Sequence, residues 1–131
     1  MARIFFAIAA IFGGLSVAAG AFASHALKEK LTERSLDIFE VGARYQMYHA
    51  LALLLVALLS SSGFQSLSSE ATPPTLVAAG VAFIVGVVIF SGSLYALSLT
   101  NIKWLGAITP LGGAAFLVGW SCLAVAAWSF K

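Results

Sequence analysis

Two histidines, His25 and His49, are the imidazoles set within the apolar stretches of this chain, and their chemistry frames what a site could do. Imidazole titrates near neutral pH, so the pair could relay protons. It also ligates iron, copper and zinc, and two imidazoles suffice for haem. A zinc site needs further ligands, and no third histidine exists. The same side chains could instead stay neutral and hydrogen-bond a neighbouring helix. Such bonds average about 0.6 kcal/mol in membranes and would pin the helices together. Tyr45, Gln46 and Tyr95 are the side chains expected beside the pair, either as those hydrogen-bond partners or as support around a bound group.

What must position these residues follows from composition. Hydrophobic residues make up 61% of the 131 positions and charged residues 9%, and the mean hydropathy is +1.02. That balance lies outside the range of soluble domains and places the chain in a bilayer. Crossing about 30 Å of hydrocarbon takes roughly 20 apolar residues in a helix. Four runs are long enough, at about 4–27, 41–60, 75–99 and 105–130. Lipid leaves open sheet edges unsatisfied, and none of these runs alternates as a barrel strand does, so the expected fold is all-α. Arg3 ahead of an apolar run and Ala21-Phe22-Ala23 resemble a signal peptide. The run is longer than the usual 7 to about 15 residues of a secretory apolar region, so it is read as a span.

The links differ in character. Lys28, Lys30, Arg34 and Arg44 lie between or at the ends of the first two spans, and Lys103 lies between the last two. By the preference of basic residues for the cytoplasmic side, those links face the cytoplasm and the Ser-rich second link faces outward. Between Lys28 and Arg44, apolar residues alternate with charged ones, which predicts a short interfacial helix with Thr32 as N-cap and a Glu40 to Arg44 ion pair. Ser60 to Pro74 reads as loop, with Pro73-Pro74 restarting the helix. Pro110 is expected in the first turn of the last helix; a kink there would instead open room near Trp104 for a lipid or quinone-like ligand.

Small residues recur at helical spacing. Ala7, Ala10, Gly14, Ala18 and Ala21 form a stripe ending at His25; Gly112, Ala115, Gly119, Cys122 and Ala126 form another; Ala79, Ala82, Gly86 and Ser93 a third. Such stripes let helices approach closely and predict a compact bundle with no wide pore, although the same seams could be oligomer faces. Cys122 is then a packing residue, and a lone cysteine builds no internal disulfide. His25 precedes Lys28 by three positions and His49 follows Arg44 by five, which predicts similar depths about a turn inside one surface. Cys122 is 16 positions past Gly106, roughly 24 Å along the bundle from that surface.

Several ordered motifs carry a resemblance over nearly the whole chain. They are Gly20-Ala-Phe-Ala-Ser-His-Ala-Leu-Lys28, Arg44-Tyr-Gln-Met-Tyr-His-Ala-Leu-Ala-Leu-Leu54, Phe90-Ser-Gly-Ser-Leu-Tyr95, and Ile108-Thr-Pro-Leu-Gly-Gly113 with Gly119-Trp120. Together they resemble domain-of-unknown-function family 423, small membrane proteins with animal relatives. Ala23 stands where that family commonly has glycine. The resemblance implies an integral membrane protein of about four spans and supplies no reaction, substrate or cofactor.

Enzymatic chemistry finds no support in the residues: the spans hold no carboxylate pair, nucleophile elbow or phosphate loop. The charges are too few for a nucleic-acid-binding patch. The expectation is therefore an all-α, integral membrane four-helix bundle with a short interfacial helix between the first two spans. It would be a non-enzymatic accessory or assembly subunit of a larger complex, in the inner or plasma membrane or an equivalent energy-transducing membrane. Membrane lipid and complex subunits or further copies of the chain are its expected partners. The alternative is a cofactor or lipid binder with a haem-like or quinone-like ligand at His25 and His49.

Overall fold

The computed structural model describes residues 1–61 and 72–128. It contains four long helices: α1 (Ala2–Phe22), α2 (Glu33–Leu59), α3 (Pro74–Thr100) and α4 (Leu105–Ala127). A π-helical turn, Ala23–Leu27, extends α1. All four are long and apolar enough to cross a membrane. Most of the Ser-rich link expected between the second and third spans, and the end of the expected fourth span, lie outside the described residues.

The ends of the helices follow from local chemistry. Thr32, in extended conformation, caps α2 by accepting the Ser35 N–H at 3.2 Å, as expected for an N-cap threonine. Pro73 and Pro74 open α3, where a missing N–H costs nothing. Asn101 ends α3 in the left-handed region (φ 56°), and its N–H bonds the Leu97 carbonyl at 2.8 Å. The turn back into α4 therefore needs only a few residues. Pro110 falls inside α4, in its second turn and not its first, because Gly106 and Ala107 already bond back to Lys103 and Trp104. Its ring leaves the Gly106 carbonyl without the usual helical partner.

The charged stretch after Lys30 is helical, but it is not a separate interfacial helix. It forms the first turns of an unbroken α2. The link from Lys28 to Thr32 is so short that α2 turns back at once, and its charged residues run alongside the second half of α1. The register is fixed by two bonds: Ser16 Oγ donates to the Ala43 carbonyl at 2.7 Å, and Gln46 Nε2 donates to the Phe12 carbonyl at 2.8 Å.

α2 and α3 are the inner pair, with α1 packed on α2 and α4 on α3. The core is built by setting aromatic rings against glycines. Phe5 lies over Gly80, Phe116 over Gly86 and Phe83 over Gly119, while Gly112 meets the Phe90 backbone itself. The stripes on α3 and α4 thus close the α3–α4 seam, with Ala79, Gly86, Ser93, Gly112, Gly119 and Ala126 buried. The α1 stripe behaves differently. Ala7, Ala10, Gly14, Ala18 and Ala21 are exposed, and α1 instead buries Phe5, Ala9 and Ser16.

Candidate functional site

Polar side chains inside apolar helices are costly unless partnered. Here the partners converge on α2. Its carbonyls at Gly42 and Ala43 accept hydroxyls from opposite neighbours, Ser91 of α3 and Ser16 of α1, each at 2.7 Å. One turn on, Gln46 bridges three helices: its Nε2 donates to Phe12 of α1, and its Oε1 accepts the Tyr95 hydroxyl of α3 at 2.8 Å. Ser93 and Thr109 join α3 to α4 at 2.6 Å.

His49 occupies the next level of α2 and is 5% exposed. Its Nδ1 lies 2.7 Å from the Tyr45 carbonyl, and its Nε2 lies 3.1 Å from Trp120 Nε1. The indole N–H can only donate, so Nε2 must be the bare, accepting nitrogen. The proton therefore sits on Nδ1 and is donated to Tyr45. The ring is neutral, and the lone pair a metal would take is already engaged. The Phe116 ring stacks on the imidazole at 3.4 Å and 6°. Phe83 and Tyr45 complete an aromatic layer linking α2, α3 and α4.

His25 is not in this layer. It is exposed on the π-helical turn. Its neighbours Ala23 and Leu27 pack on Phe39, ten positions and about 15 Å of helix from His49. The expected similar depth of the two histidines is therefore corrected. Lys28 and Arg44 do not mark one surface, because α2 begins at Glu33 and Arg44 stands about 16 Å along it. Cys122 keeps its expected place about 24 Å along α4, and it is His49, 16 positions past Glu33, that lies deeper than expected. Cys122 lies two positions from Trp120 and so near the level of His49, where it packs against the apolar core. Among the described residues no cluster of three or more His, Cys, Asp or Glu side chains forms.

Of the side chains expected beside the histidines, Tyr45 meets His49 by stacking its ring, the hydrogen bond going to its backbone carbonyl, while Gln46 and Tyr95 bond each other and serve the α1–α2–α3 seam. The contribution of Trp120, Phe116 and Phe83 was not anticipated. The signal was present in Trp120, whose indole N–H in an apolar span must find an acceptor. Replacing Tyr95 with phenylalanine should cost roughly 0.6 kcal/mol in a detergent unfolding titration, the size of one interhelical bond.

Four membrane-length helices whose buried polar groups bond to one another define a small, multi-pass integral membrane protein. The chain belongs to the family described as "Protein of unknown function (DUF423)", whose model matches residues 19–113. It is similar to UPF0382 membrane protein YwdK of Bacillus subtilis, with 43% identity over 95% of this chain and 96% of that one. It is also similar to the UPF0382 membrane protein of Staphylococcus epidermidis, with 39% identity over 98% of both chains. A UPF0382 membrane protein of Staphylococcus aureus likewise shares 39% over 98% of both. No solved structure matches.

Proposed function

We propose that this protein is a non-enzymatic accessory or assembly subunit of a larger complex in the inner or plasma membrane, or an equivalent energy-transducing membrane. The observation carrying this reading is the Glu40 to Arg44 ion pair, 3.7 Å long, with its side chains 40% and 60% exposed. Arg44 adjoins Ala43, which bonds Ser16, and Ser16 lies about 16 Å from the Leu27 end of the first span. Charges turned outward at that height are unfavourable against lipid. A partner helix that covers them relieves the cost. Gly20 and Ser24 of α1 line one shallow pocket with Glu40 and Arg44, and Gly13, Gly14 and Gly20 have open space where a side chain would stand. That surface allows a partner backbone to approach closely.

The test is native mass spectrometry of protein released gently from its own membrane. A distinct partner subunit at fixed stoichiometry is expected, with at least roughly tenfold less of it in Gly20→Leu, a loss of about 1.4 kcal/mol of association free energy. Thermal stability should not fall, because among the described residues no neighbouring helix comes within 4 Å of a Cβ built at that position. Release as a monomer, or only as copies of itself, overturns the accessory reading. Gly119→Leu cannot serve here, since a Cβ at Gly119 falls 2.6 Å from the Phe83 ring and disturbs the protein's own core.

A further inference from the structure

At one end of the bundle, the start of α2 and the link from α3 to α4 line a half-open cavity of about 500 Å³. Arg34 and Lys103 line it with Thr32, Ser35 and Asn101, and no carboxylate is among the lining residues. Neither cation forms an ion pair among the described residues. The hydroxyls are ordered in one direction: Thr32 donates to Ser35 at 3.1 Å, and Ser35 donates to Asn101 Oδ1 at 3.4 Å. That leaves the Asn101 amide NH₂ as a donor beside the two cations. Ile38 and Leu97 form the apolar part of the wall.

Both charged side chains are cations, and the side-chain oxygens of Thr32, Ser35 and Asn101 each already accept a hydrogen bond within the protein. Arg34 from α2 and Lys103 from the α3–α4 link are like charges lining one cavity, and an anion bound there is attracted to both. The planar guanidinium of Arg34 suits two oxygens of one tetrahedral group, and Lys103 supplies a point charge. We propose that this cavity binds a phosphate group, held between Arg34 and Lys103 and oriented by Asn101. The chemistry is shared by the headgroup of an anionic phospholipid and by free phosphate. The position at the helix ends, with Ile38 and Leu97 about a turn further into their helices than Ser35 and Asn101, favours the lipid. Basic pockets between membrane helices bind such headgroups in general.

The experiment uses the full chain in neutral detergent and reads adducts by native mass spectrometry. Phosphatidylglycerol, phosphatidylcholine and inorganic phosphate are added separately to wild type, to the double variant Arg34→Gln/Lys103→Gln, and to Lys28→Gln. Lys28 is exposed in the first link and does not line the cavity. Wild type and Lys28→Gln should retain phosphatidylglycerol roughly 10- to 30-fold better than the double variant, the effect of two basic residues on an anionic headgroup. Phosphatidylcholine should not distinguish the three proteins. Phosphatidylglycerol retained in excess inorganic phosphate identifies the lipid as the ligand, while displacement by phosphate, with a phosphate adduct lost in the double variant, identifies free phosphate. Equal phosphatidylglycerol retention by wild type and the double variant overturns the proposal, as does phosphatidylcholine retained as well as phosphatidylglycerol. Both replaced side chains are exposed, and an unchanged unfolding temperature shows that the double variant is folded.

Discussion

Replacing His49 with alanine should lower the unfolding free energy by roughly 3 kcal/mol, the range seen when a large buried side chain is truncated. Three losses combine in that variant. The Phe116 ring loses the imidazole stacked on it at 3.4 Å, a void opens in the inner seam, and the Trp120 indole loses its acceptor. Trp120→Phe removes mainly the hydrogen bond and should cost about 1 kcal/mol. The double variant separates the contributions. The bond can be lost only once, so His49→Ala/Trp120→Phe should be less destabilised than the sum of the single variants, by about the energy of that bond. Denaturant titration in mixed micelles measures all four states. Strict additivity would show that the two side chains do not act together.

Gly112→Ala is expected to destabilise by at least about 2 kcal/mol, within the range for overpacking a well-fitted core. The reason is what stands opposite. A Cβ at Gly112 meets the backbone N and Cα of Phe90, which can move only if α3 and α4 separate. At Gly119 the obstacle is the Phe83 ring, which can rotate, so Gly119→Ala should cost less. Gly14→Ala should be neutral or stabilising, since the site is open and alanine is favoured over glycine in a helix by about 1 kcal/mol. Thermal unfolding of the three variants in one detergent gives the ranking. Equal effects at Gly112 and Gly14 would mean that the α3–α4 seam is looser than described.

Helix existence was legible because an apolar run of about 20 residues has few alternatives in a bilayer. The cap at Thr32 and the Glu40 to Arg44 pair were legible for the same local reason: each depends on residues within one turn. Facing was not. The stripes on α1 and α4 look alike in spacing, yet Gly119 is buried under Phe83 and Gly14 is open. Spacing defines a helical face but not what lies across from it. Depth failed through a specific assumption, that charge marks the membrane surface. Arg44 broke it by standing beside the middle of α1. His49 was legible as a buried polar group needing partners. Its main partner, Trp120, lies 71 positions away and could be placed only once the register of three helices was known.

The bonds through α2 also have a direction in time. Ser16 and Gln46 find the Ala43 and Phe12 carbonyls within the first two helices, so most of that hairpin's polar groups are satisfied before any later residue is made. Ser91, Tyr95 and Trp120 have no such independence, because their acceptors are Gly42, Gln46 and His49 of α2. The earlier half is thus a template with open acceptors, and the later half completes it. Synthesis from the N-terminus delivers the two in the order that their dependence requires, so the nascent chain need not hold an indole or a phenol unpartnered in lipid while waiting for its acceptor.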